Sequence, residues 1–229
     1  MSKSIFSMET PFARFMTSLA DILLIGILWL ICCIPLVTAG VATSAAYYAM
    51  AKVVYYNEGY AVREFWNGIK KNIKQGISIS VVTAVLNALL VIDLIYVWGN
   101  RSSLNDAVFV VLCMIAFLLL AFGIYFFPLL SRFAKRTREL ALTALVLEFK
   151  YLYLSVVFVI GLGLGAYIMI VAPAFLIFIP GLLLWMMTYP MEWVMHKMMP
   201  VPEEGSEEAD KWYYNTKIRN KKSKSEKER

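Results

Sequence analysis

Residues 31–76 read ICCIPLVTAGVATSAAYYAMAKVVYYNEGYAVREFWNGIKKNIKQG. Proline disfavours helix at the residue before it, so the apolar helix that enters this stretch stops at Pro35. Val37, Thr38, Ala39 and Gly40 then form a turn of small residues, and an almost wholly apolar segment follows from Val41 to Tyr56. Residues 58–75 become basic and aromatic before the next apolar run opens at Ile77. The order is helix, turn, returning helix and amphipathic segment, and it sets the organisation expected of the whole chain.

Composition supplies the solvent for these helices. Hydrophobic residues make up 60% of the chain, charged residues 17%, and the mean hydropathy is +0.67. A soluble domain of 229 residues cannot bury that much apolar surface, so the expected fold is all-α, a polytopic transmembrane helix bundle. With about 20 residues per span, the chain holds five or six spans and no separate soluble domain. Residues 1–199 are expected to form the bundle, and 200–229 a charged, disordered tail, acidic first and then basic. The N-terminal region has one early lysine, Lys3, and no clean small-residue cleavage site, which favours a retained first span over a removed signal peptide. Cys32, Cys33 and Cys113 have neither disulfide-framework nor metal-ligand spacing.

Working outward from the opening stretch, Phe12, Phe15, Met16 and Leu19 recur at helical spacing and suggest a surface lead-in to a first span over about 19–34. Val41 to Tyr56 is short for a span, so it either crosses, giving six spans, or is re-entrant or interfacial, giving five. Lys52 stands where a long side chain can snorkel to the interface. In residues 58–75, Val62, Phe65, Trp66, Ile69 and Ile73 form one apolar stripe, and Arg63, Lys70, Lys71 and Lys74 form a basic face, the pattern of an interfacial helix. Further spans are expected over about 77–98, 107–130, 151–171 and 174–195. A second basic stretch, Arg132, Lys135, Arg136 and Arg138, leads into a second amphipathic helix marked by Phe133, Thr137, Leu140, Ala144 and Leu147.

By the positive-inside rule both basic stretches face the cytoplasm and the turn at 100–106 lies outside. The expected plan is three units, each a cytoplasmic-surface amphipathic helix followed by a transmembrane hairpin, with hairpin turns near Pro35, Arg101 and Pro173. It puts the C-terminus in the cytoplasm and, where the first unit is a true hairpin, the N-terminus as well. The basic balance belongs to this topology and not to nucleic acid.

Residues that carry chemistry are sparse. Asn87 and Asp93 are polar groups in an apolar span and are candidate intramembrane functional residues, with a capping or solvated role for Asp93 as the competing reading. Glu192 and His196 share one helix face, but with no third ligand in sight an interfacial pair outweighs a metal site. Gly161, Gly163 and Gly165 lie inside an apolar span, where glycine admits a neighbouring helix and not a phosphate. No P-loop, serine elbow, paired carboxylates or HExxH occurs, so neither enzymatic activity nor a cofactor is expected.

The run PLVTAGVATSAAYY from Pro35, followed by EGYAVREFWNGIKKNIKQ ending at Gln75, resembles the YesL family of small membrane proteins from Gram-positive bacteria. The pattern is carried by Pro35, Thr38, Thr43, Gly59, Arg63, Glu64, Phe65, Asn72 and Gln75. Glutamate replaces the expected aspartate at 64, and isoleucine replaces phenylalanine at 69 and 73. The resemblance implies a multispan protein of the cell membrane with undefined activity. Relatives of that family tend to be encoded near carbohydrate uptake transporters of the ATP-binding cassette type and polysaccharide degradation systems.

Three functional readings follow. In the favoured one, the protein is a non-enzymatic accessory partner of such an uptake system. Gly59, Arg63, Glu64, Phe65, Trp66, Lys70, Asn72, Lys74 and Gln75 would then form a contact surface for permease subunits or a membrane sensor kinase. Pro35, Thr38, Gly40 and Thr43 make the hairpin turn in this reading. In the second, the protein is itself a small permease for a sugar or other solute, with Asn87 and Asp93 lining a path. In the third it is a structural, lipid-organising protein of the bilayer.

Overall fold

The computed structural model describes residues 11–100, 103–133 and 136–198, and all regular structure among them is helical. Helix α1 spans Pro11–Cys33 and α2 spans Ala39–Ala49, the latter running on without a break as a π-helical segment, Met50–Tyr55. Helix α3 is Ala61–Gly99, α4 is Ser103–Arg132, α5 is Thr137–Lys150, α6 is Leu152–Val171 and α7 is Ile179–Met198. Short 3₁₀ turns, Leu36–Thr38 and Pro173–Ile177, precede α2 and α7. The tail beyond residue 198, the first ten residues and the turn at Arg101 lie outside the described residues.

Among the described residues, four helices are long and apolar enough to cross a membrane: Phe15–Cys33, Ala61–Gly99, Asp106–Arg132 and Leu152–Val171. Their apolar side chains are turned outward, as Val85, Leu89, Ile92 and Ile95 of α3 and Val157, Ile160 and Leu164 of α6 show. Four such helices with exposed aliphatic faces are what lipid solvation requires, and they mark a membrane protein. Two of the six predicted spans differ. The Val41–Tyr56 segment is not a lipid-facing helix: it is buried on nearly all sides by α1, α3, α4 and α7. The last predicted span begins later, because the chain after Pro173 first makes a 3₁₀ turn. Its helix α7 carries Thr188, Glu192 and His196, and it is not among the four.

The amphipathic segment and the span after it, predicted as separate elements, form one unbroken 39-residue helix, α3. No proline or helix-ending glycine motif separates them, so the intrahelical ladder continues through Gly76. The second amphipathic helix is α5, which buries Leu140, Ala144, Leu147 and Glu148. Its junction with α6 is tied down where the Tyr125 hydroxyl donates to the Tyr151 carbonyl at 3.0 Å and the Ser155 hydroxyl donates to Tyr125 at 3.3 Å.

Helix α2 is the shared wall of two cores. Tyr47 and Ala51 enter one, with Tyr125, Phe126, Leu129 and Leu130 of α4, Leu140, Ala144 and Leu147 of α5, and Met191, Val194 and Met195 of α7. Ala45, Ala46, Ala49, Met50 and Val54 enter the other, with Ile22 and Ile25 of α1, Phe65 of α3 and Leu184 of α7. A run of alanines allows this double duty, because small side chains let several helices approach one axis closely.

The turn before α2 is built as its residues suggest. The Thr38 hydroxyl lies 2.6 Å from the Cys32 carbonyl, an acceptor that the end of α1 leaves without an intrahelical donor, and 2.8 Å from the Pro35 carbonyl, which also accepts the Thr38 backbone N–H. Thr43 donates to Ala39 at 2.8 Å and accepts from the Trp29 indole at 3.0 Å, joining α2 back to α1. Gly40 is wedged against Ser80 of α3 and Phe127 of α4 with no room for a Cβ.

Helices α1 and α7 cross closely through glycine. A Cβ on Gly26 would stand 2.7 Å from the Gly181 nitrogen, and one on Gly181 would stand 2.6 Å from the Ile22 carbonyl oxygen. Of the three glycines predicted to admit a neighbour in α6, only Gly165 does so, against Leu183 and Ile179; Gly163 faces open space. Gly181→Leu is therefore expected to lower stability by about 1–3 kcal/mol through overpacking. Gly163→Ala is expected to be neutral or stabilising by up to about 1 kcal/mol. Thermal unfolding of both variants in detergent micelles checks the contrast.

Candidate functional site

Between the two cores, α2, α4 and α7 converge on a charged cluster. Arg132, in the last turn of α4, forms an ion pair with Glu192 of α7, their side chains 1% and 0% exposed. The Tyr47 hydroxyl donates to Glu192 Oε1 at 2.6 Å, and the Tyr56 hydroxyl lies 3.0 Å from Glu192 Oε2. The Arg132 guanidinium also sits over the Tyr56 ring, 5.7 Å from its centroid. A carboxylate so deeply buried is stable only with this many donors.

The π segment accounts for how two tyrosines of one helical stretch reach one carboxylate. Tyr47 and Tyr56 are nine residues apart, two and a half turns of regular α-helix, which places them about half a turn apart in azimuth. Six residues of wider π-helix between Met50 and Tyr55 turn the end of the stretch back toward α7. Proline adds a second local device. Pro128 lies one turn before Arg132 and Pro190 two residues before Glu192, so both helices carrying the pair have an interrupted ladder beside their charged residue.

His196 forms the edge of the cluster. Its Nδ1 lies 2.7 Å from the Glu192 backbone carbonyl, an oxygen that can only accept, so Nδ1 carries a proton. Nε2 then faces the Tyr56 hydroxyl at 3.0 Å, and the ring stacks on that of Tyr56. The predicted Glu192/His196 pairing is present, but it belongs to a buried cluster and not to an interfacial pair. Among the described residues no set of three acidic, histidine or cysteine side chains is placed to hold a metal ion.

The residues predicted as a contact surface on α3 are divided between two faces. Phe65 is fully buried in the α1–α2 core, and Asn72 is buried with its amide donating to Ser44 at 3.3 Å. Glu64 is buried and pairs with Lys52 at 3.0 Å, so Lys52 is turned inward to a carboxylate instead of snorkelling. Gly59 has φ +87°, the left-handed region that favours glycine, and any Cβ there would press on the Glu64 side chain. Arg63, Trp66, Lys70, Lys74 and Gln75 lie exposed on the opposite face.

The inward stripe of α3 is Ala61, Phe65, Gly68, Asn72, Gly76 and Ser80, mostly small and polar. Of the apolar stripe read as one side of an interfacial helix, Val62, Trp66 and Ile73 are exposed, whereas Phe65 is buried. Asn87 bonds to its own helix at the Thr83 carbonyl, 2.7 Å away, and Asp93 is exposed near the far end of α3. Neither joins the charged cluster.

Residues 22–94 match the model of a family described as "Protein of unknown function, DUF624". The matched stretch runs from the core face of α1 through α2 into the apolar half of α3, less than half of the chain. No curated protein and no solved structure matches.

The cluster yields a direct expectation. Arg132→Met leaves a buried carboxylate uncompensated and is expected to cost about 3–5 kcal/mol, whereas Arg132→Met combined with Glu192→Leu recovers much of that loss. Comparing unfolding midpoints of single and double variants in detergent tests the coupling.

Proposed function

We propose that the protein is a non-enzymatic accessory of a carbohydrate uptake system of the ATP-binding cassette type, held in the cell membrane and bound to that system's permease subunits. The proposal includes a topology in which the basic half of α3 and the start of α5 face the cytoplasm, together with both termini.

The observation that carries this reading is the construction of the first half of α3. One face is locked onto α2 through Gly68, Asn72 and Gly76, while the opposite face presents Arg63, Trp66, Lys70 and Lys74 to the exterior. A rigid helix with an exposed tryptophan among cations is suited to an acidic, aromatic-lined groove, because the aromatic anchor supplies contact area and the cations steer the approach. The family resemblance of the segment supplies the class of partner.

The test is affinity purification from native membranes with quantitative mass spectrometry. Transporter permease subunits are expected with the unaltered protein and are expected to fall at least about tenfold with Trp66→Ala, Lys70→Glu and Lys74→Glu combined, while the unfolding free energy stays within about 1 kcal/mol of the parent. Recovery of anionic lipid without permease subunits, or equal recovery of the subunits by the variant, would overturn the proposal.

A further inference from the structure

Helix α5 packs against α4, and between them lies a cavity of about 330 Å³. It is lined by Ile115, Leu118, Leu119 and Phe122 of α4 and by Leu145, Glu148 and Phe149 of α5. That volume is at the lower end of small-molecule sites, roughly 300–1,000 Å³. Ile115, Leu145 and Phe149 are also exposed on the outer surface. The cavity therefore opens sideways, past aliphatic and aromatic side chains.

Glu148 is out of place in this lining. It is 1% exposed, its Oε1 is buried without a hydrogen-bond partner, and its carboxyl forms no ion pair among the described residues. The other buried glutamates are matched, Glu64 by Lys52 and Glu192 by Arg132. A buried carboxyl without a partner is costly, and burial here pushes the Glu148 carboxyl above the usual carboxylate range. The group is poised to meet a donor that arrives from outside the chain.

We propose that this cavity binds an amphiphile consisting of an alkyl chain with one primary amine head. The chain lies among Ile115, Leu118, Leu119 and Phe122, and the head lies on Glu148. The amine nitrogen takes the carboxyl proton, so that an ammonium donates to a carboxylate and charge is balanced within the cavity. Such a charge-assisted bond is about twice as strong as a neutral one, which selects an amine over a hydroxyl head of equal chain length. The sideways opening lets the ligand enter from the bilayer.

The test uses the full-length protein in phosphatidylcholine nanodiscs, with equilibrium dialysis of decylamine and decanol corrected by empty nanodiscs. Saturable binding of one decylamine per chain is expected, at least about tenfold tighter than decanol. Glu148→Gln is expected to remove that preference, and Leu119→Trp, which fills the cavity and keeps the carboxyl, to remove binding of both. An unfolding midpoint at or above that of the parent is expected for Glu148→Gln and separates lost binding from lost folding. Absence of saturable decylamine binding, equal affinity for decanol, or undiminished binding by Leu119→Trp would each overturn the proposal.

Discussion

A charge buried at the meeting point of three helices constrains everything around it. Arg132 and Glu192 have side chains essentially without exposure, so each is tenable only while the other, with Tyr47 and Tyr56, stays within hydrogen-bond distance. This requirement fixes the end of α4 against α7 and fixes both against α2. It also gives the π segment a purpose, since a regular helix would carry Tyr56 away from the carboxylate that Tyr47 reaches.

The remaining packing follows from α2 being thin. Its alanines let α1, α3, α4 and α7 gather around one axis, and its only large side chain in the first core, Tyr47, is the one that enters the charged cluster. The apolar halves of α3 and α4 and most of α6 stand away from this centre with their aliphatic faces outward, as lipid-solvated helices do. Apolar cores fill the interior around its few polar groups, and bulky apolar groups cover the exterior as well, a reversal of the polar surface of a soluble bundle.

That reversal determined which features were legible from residue patterns. The turn after Pro35, the helix breaks near residue 100 and Pro173, and the second amphipathic helix with Leu140, Ala144 and Leu147 inward all follow from local chemistry, and the structure contains them. The inward face of α3 was not legible in its apolar stripe: Val62, Trp66 and Ile73 stay exposed, and the helix buries Gly68, Asn72 and Gly76 to bring backbones together, which draws Glu64, Phe65 and Asn72 out of the expected contact surface. The separation of α3 into a surface helix and a span rested on a change of composition, and composition alone does not end a hydrogen-bonded ladder. Among the three glycines of α6, spacing could not distinguish Gly165, which faces α7, from Gly163, which faces open space.

By itself, the sequence determined that the chain is helical, that lipid is its solvent, and where its helices turn, because these depend on composition, proline and neighbours three or four residues apart. Only the tertiary structure decided that Val41–Tyr56 is a buried axis and that Glu192 belongs with Arg132, 60 residues away, and Tyr47, 145 residues away. It also showed that Glu148 lines a cavity without a partner. Pairings at such separations leave no periodic trace along the chain; they arise when α2, α4, α5 and α7 are brought side by side and each buried charge either meets its complement or does not.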